Sequence, residues 1–419
     1  MKRAHLHTIL FLSLAGALAA TAGCGGGSSS SSSTPGGGGG TTGSTPTVSN
    51  VQSITVNTGP TAAAPYNNPY VDGAFTSVTV CVPGSTTNCQ TISGILVDTG
   101  SSGLRILSSA LSLSLPQQTG TNSAPIVECF PFVDGITWGP VATADMTIAG
   151  EQAKSVPVQV IGSSSFSTVP VGCLSYGVPE DDLASFGANG ILGVGTFAQD
   201  CGSACTTSGA SNPGLYYACP SSGCEVTTES LSSQVPNPVT FFATDNNGVV
   251  IQLPSVSGAE TSLTGSLIFG IGTQSNNALG SATVYTIDTS SGNFTTTYNG
   301  ISYTDASFID SGSNAIYFLD SHTTGIPTCA DMTSFYCPAA TQNLSATNQG
   351  TNGATSTVNF VVGNADTLTA NALDAAVNGL TGPNSGSFDW GLPFFFGRTV
   401  YTSVEGQSTP AGQGPYWAY

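Results

Sequence analysis

One short pattern occurs twice in this chain, and that repeat limits the possible fold more than any other feature. Ile95-Leu96-Val97-Asp98-Thr99-Gly100-Ser101 and Ala306-Ser307-Phe308-Ile309-Asp310-Ser311-Gly312-Ser313 share one order: apolar run, aspartate, hydroxyl residue, glycine, hydroxyl residue. Aliphatic and β-branched residues in so short a run read as a buried strand that stops at a turn. An acid at the tip of such a strand loses solvation, so nearby donors or a shared proton must hold it. Thr99, Ser101, Ser311 and Ser313 supply hydroxyls, and Gly100 and Gly312 let the backbone turn close to a carboxylate. A single Asp-x-Gly after a strand is an ordinary turn. Two copies far apart, each behind its own apolar run, offer one acid from each half of the molecule to a common site.

These residues resemble the paired motifs of the pepsin-like aspartic peptidases, in which each lobe supplies one Asp-[Thr/Ser]-Gly-[Ser/Thr]. The resemblance implies an all-β, two-lobed fold with a cleft between the lobes. It implies that Asp98 and Asp310 share a proton across a lytic water. Ser101 and Ser313 would orient the outer carboxyl oxygens, and Thr99 and Ser311 would cross-brace the loops beneath. Ile191-Leu192-Gly193 resembles the family's hydrophobic-hydrophobic-Gly strand behind the first Asp loop. Its second copy is expected at Phe388-Asp389-Trp390-Gly391, where Asp389 and Trp390 break the apolar pattern, although the following aromatics and Arg398 fit. That run also resembles a bacterial lipoprotein family of unknown function. Asp134-Gly135-Ile136-Thr137-Trp138-Gly139 fits the hairpin that closes over the cleft. Trp138, before Gly139, stands at the flap tyrosine's place, and Arg105 stands where the family has an indole. The paired change predicts a cation–π contact of Arg105 on Trp138, worth about 0.5–2 kcal/mol.

The ends and the composition add context. Lys2 and Arg3 precede an apolar stretch from Ile9 to Ala20, and Thr21-Ala22-Gly23-Cys24 resembles a lipobox. Residues 1–24 are therefore expected to be a lipoprotein signal, with Cys24 lipidated, and 25–48 a flexible Gly/Ser/Thr tether. The body divides into an N-terminal lobe, 49–238, and a C-terminal lobe, 239–419. Charged residues make up 7% of the chain against a usual level of about 25%. With many Gly, Ser, Thr and Asn residues between short β-rich runs, this is an all-β composition and not a disordered one.

Past the leader only Arg105, Lys154 and Arg398 are basic, against 23 acids, so nucleic acid is excluded as a partner. Setting Cys24 aside from eleven cysteines leaves ten, an even number in an exported chain. Cys81 with Cys89, Cys129 with Cys173 and Cys329 with Cys337 are the expected pairs. Cys201, Cys205, Cys219 and Cys224 could pair in three ways or hold zinc. His322 is the single histidine past the leader, which removes multi-histidine metal sites, and no metal or cofactor is expected. Thr367 to Leu380 has the one helical spacing of note. Together these readings predict a monomeric, exported, lipid-anchored aspartic endopeptidase of the outer membrane or cell surface, acting on peptide or protein. The alternative is an inactive peptide- or glycan-binding lipoprotein of the same fold.

Overall fold

The computed structural model describes residues 49–419; the expected leader, Cys24 and the tether lie outside the described residues. The run before Asp98 forms the strand Cys89–Asp98, whose last four residues are buried. Gly190–Val194 lies parallel beside it, with Val97 opposite Leu192 and Asp98 opposite Gly193. Ser102–Leu107, leaving the Asp loop, returns antiparallel along the other side of Gly190–Val194. A strand enclosed in this way has no solvent face, which is why it reads as a continuous apolar run.

The second half repeats the arrangement. Ile301–Ile309 runs parallel to Asn384–Trp390, with Phe308 opposite Asp389 and Ile309 opposite Trp390. Ile316–Leu319 runs antiparallel along the same strand, with Tyr317 opposite Asp389. Each aspartate thus sits at the mouth of a three-strand crossing, and the two crossings face one another.

A 15-stranded sheet carries the first Asp loop and a 7-stranded sheet carries the second. The leading strand, Val51–Val56, pairs with Leu263–Phe269, placing Val51 opposite Ile268. Gly248–Gln252, Thr399–Ser403, Tyr416–Ala418 and Val284–Thr286 extend that sheet in order. Val51–Val56 therefore joins the first-half strands of this sheet to five strands contributed by the second half. Ile54, Val97, Leu192, Leu267, Phe318 and Trp390 all belong to one buried apolar cluster. Trp390 stacks on Phe388 and meets Phe360 edge-on, so the residue that broke the apolar pattern is an aromatic keystone of the second half.

Five disulfides join Cys81–Cys89, Cys129–Cys173, Cys201–Cys205, Cys219–Cys224 and Cys329–Cys337. The four cysteines left open by the sequence pair locally, and none of them is a free zinc ligand. The helix expected over 367–380 is corrected. Only Ala365–Leu368 is helical. Ala376–Val377 is drawn into pairing with Ala259–Glu260, and the Val377 amide donates to Asp72. Tertiary partners for the backbone outweigh a weak helical spacing. No helix among the described residues is long and apolar enough to cross a membrane.

Candidate active site

The two Asp loops meet at the centre of the molecule. The Thr99 amide donates to the Ser311 hydroxyl (3.1 Å), and the Ser311 amide donates to the Thr99 hydroxyl (2.9 Å). Each hydroxyl then donates to a backbone carbonyl across the junction, Thr99 to Ile309 (3.2 Å) and Ser311 to Val97 (2.8 Å). Four hydrogen bonds therefore lock the two strand ends together beneath the acids. Above this brace the Gly100 amide donates to Asp98 Oδ1 and the Gly312 amide to Asp310 Oδ1, each at 2.7 Å.

The carboxyls of Asp98 and Asp310 converge on one point, the Oδ1 of each lying within 3.1 Å of where a Cβ on Gly312 would stand. Asp98 is 2% exposed and Asp310 1%. Burial, then the Asp98 and Asp389 carboxyls, hold Asp310 well above the ordinary carboxyl range. Contact explains the two glycines. A Cβ on Gly100 would lie 2.6 Å from Asp310 Cγ, and one on Gly312 2.7 Å from Asp98 Oδ1.

The outer serines differ. Ser313 Oγ lies 2.9 Å from Asp310 Oδ2 and 2.6 Å from Asp389 Oδ2. Ser101 does not orient Asp98 as expected: its Oγ is buried with no hydrogen-bond partner. It faces Gly193 of the threading strand, where an added Cβ would come within 2.6 Å of it.

The expected Arg105–Trp138 contact is also corrected. The hairpin joins Ile126–Pro131 to Ile136–Ile148, and Trp138 stands opposite Cys129. Phe130 and Glu128 therefore point to the other face, and Arg105 is on theirs. Its guanidinium lies 3.6 Å over the Phe130 ring, 2.6 Å from Glu128 Oε1 and 3.0 Å from Asp200 Oδ2. Tyr216 donates to Asp200 at 2.8 Å and accepts from the Val235 amide. Trp138 instead meets Tyr217 edge-on and donates to the Phe166 carbonyl at 2.7 Å. Gly139 packs on the next strand, where a Cβ would strike the Val160 carbonyl. Neither Trp138 nor Arg105 is at the hairpin tip.

That tip is the turn 132–135, closed by the Phe132 amide donating to the Gly135 carbonyl. It is tied to a neighbouring segment, with Ile136 donating to Val178 and Glu180 donating back to Ile136, both at 2.8 Å. Glu180 is pushed up to about 9 by burial and the Asp134 carboxyl. Tyr70 is buried, and burial followed by the carboxyls of Asp134, Glu180, Asp310 and Asp98 pushes its hydroxyl well above the tyrosine range. Tyr70 thus feels the acids of the hairpin tip and the paired aspartates alike. Sequence reasoning missed it, because a lone tyrosine in an irregular Asn- and Pro-containing loop carries no pattern. Asp389 did leave a signal, as an acid inside an apolar threading strand.

Two braced Asp-hydroxyl-Gly loops in a two-lobed β-fold define a class, and the comparison of structures gives the same one. An aspartic proteinase from Irpex lacteus is similar with a TM-score of 0.50 and 18% identity, over 88% of this chain and 96% of that one. The protein has the pepsin-like two-lobed fold. Residues 46–419 match the family described as "Protein of unknown function (DUF3443)", and the chain belongs to that family. No curated protein matches it in sequence.

Proposed function

We propose that the protein is an aspartic-type endopeptidase whose Asp98 and Asp310 activate a water against a peptide bond. The observation that carries this reading is the convergence of two buried carboxyls above the Thr99–Ser311 brace. Two buried acids this close share one proton, so one can take a proton from water while the other gives one to the peptide carbonyl. Attack forms a neutral gem-diol without a covalent enzyme intermediate. The acid that gained the water proton then passes it to the departing nitrogen, the C–N bond breaks, and the other recovers a proton from the diol. The brace supports this step by holding both carboxyls in one geometry throughout. Five disulfides mark an exported chain. Anchoring through a lipid on Cys24, at the outer membrane or cell surface, belongs to the same proposal, as does a monomeric state.

The test is cleavage of a mixed peptide pool from pH 3 to 7 by the purified protein, beside Asp98→Asn and Asp310→Asn. Cleavage with an acidic optimum is expected, and either substitution should lower the rate by about 10²–10⁴-fold. A folded, disulfide-intact protein that cuts nothing would overturn the proposal in favour of a peptide- or glycan-binding role.

A further inference from the structure

Asp389 occupies a position whose counterpart in the first half is apolar. Ile191 stands opposite Leu96 on the first threading strand, and Asp389 stands opposite Phe308 on the second. Asp389 is completely buried. Its Oδ2 lies 2.6 Å from Ser313 Oγ, and the same oxygen of Ser313 lies 2.9 Å from Asp310 Oδ2. A serine hydroxyl carries one hydrogen and cannot donate to two carboxylates at once. If it points at Asp389, Asp310 Oδ2 loses its donor, and the proton shared with Asp98 is drawn toward Asp310. If it points at Asp310, Asp389 must be the protonated acid. The two carboxyls are therefore linked through one rotating hydroxyl. The first half has no such link, because Ser101 Oγ has no hydrogen-bond partner.

We propose that Asp389 is a positioning residue which, through Ser313, decides which member of the aspartate pair carries the shared proton. With Asp389 ionised, the Ser313 hydrogen turns to it, Asp310 becomes the acid and Asp98 the base. The roles of acid and base rest on the peptidase reading above, whereas the proton linkage does not. Other groups face the same acid. Asp310 lies beside it, Tyr317 stands opposite it on the next strand, and Asp98, Tyr70, Asp134 and Asp72 surround these two. Among them Asp389 is joined to Asp310 by a hydrogen-bond bridge through the Ser313 hydroxyl.

The experiment follows carboxyl carbons by ¹³C NMR in the full chain labelled at aspartate, with Asp98 and Asp310 assigned by single Asn substitutions. Titrations are compared for the unsubstituted chain, Asp389→Asn, Ser313→Ala and the double variant, each with its fold checked by near-ultraviolet circular dichroism. Removing the Asp389 charge is expected to lower the pH at which the pair loses its last proton by about one unit. In the Ser313→Ala background the same substitution should move it by less than about a third of that. If the peptidase reading holds, the alkaline limb of kcat/KM should move toward acid by the same amount. An unchanged titration in Asp389→Asn would overturn the proposal. So would an equal shift with and without Ser313, which would mean a through-space effect. A protein that cleaves no peptide still titrates, so the two readings fail separately.

Discussion

Arg105 is one of three lysine or arginine residues beyond residue 24, and it faces no solvent at all. Its guanidinium is fixed by Glu128, Asp200, the Ser102 carbonyl and the Phe130 face. Deleting it strands two acids in the interior, so Arg105→Ala should cost about 3–5 kcal/mol in urea unfolding. Arg105→Lys should recover little of this, because an ammonium cannot reproduce the fork or the flat stack. The brace has a comparable weakness. Thr99→Val keeps the shape but leaves the Ser311 amide without its acceptor, and about 1–3 kcal/mol should be lost in the same measurement. At this scale the Asp loops were legible because their pattern is local and repeated. The partner of Arg105 was not, because a strand's two faces alternate and the hairpin register could not be read. A shift of one position moves every side chain to the other face. The link from Asp389 to Ser313 was hidden for another reason: it joins side chains 76 residues apart.

Among the elements, the hairpin is secured below its tip by Cys129–Cys173, a pair 44 residues apart beside Trp138. Closing that span is worth about 4 kcal/mol in chain entropy, and closing the four-residue span of Cys201–Cys205 about 2. Replacing both members of the long pair with serine should therefore lower unfolding stability about twice as much as replacing the short pair. Calorimetry on the two double variants checks this. The local pairs Cys81–Cys89 and Cys329–Cys337 were readable from spacing alone. The segment expected to be a helix shows where that kind of reading ends. Leu368, Ala372, Leu373, Ala376 and Leu380 recur near helical spacing, yet the backbone at Ala375 and Val377 is claimed by Glu260 and Asp72. Those partners lie far away in sequence, and nothing in the segment itself announces them.

For the molecule as a whole, burial acts on many acids in one direction. It holds Asp72, Asp200 and Asp310 well above the usual range, Glu180 at about 9 and Glu229 at about 7. Such groups bind protons more tightly folded than unfolded. Their contribution is complete below the unfolded value of about 4 and is lost as pH rises toward the folded values. Asp182, Asp288 and Asp320 are shifted down by backbone amides, but they are largely exposed and oppose this trend weakly. Self-repulsion of a chain with net charge −18 adds to the alkaline loss. Thermal unfolding should therefore show a higher Tm at pH 5 than at pH 8, and Glu180→Gln should flatten the slope between them. The two-lobed class was legible because composition and the duplicated loops both point to it. The junction was not. Asn50 donates to the Phe269 carbonyl 219 residues downstream, beside the pairing of Val51–Val56 with Leu263–Phe269. At ribosomal rates that partner emerges about 10–40 s after Asn50. Through that interval the nascent chain carries a naked β edge near its own beginning. An unpaired edge of that kind is open to neighbouring chains until Leu263–Phe269 covers it.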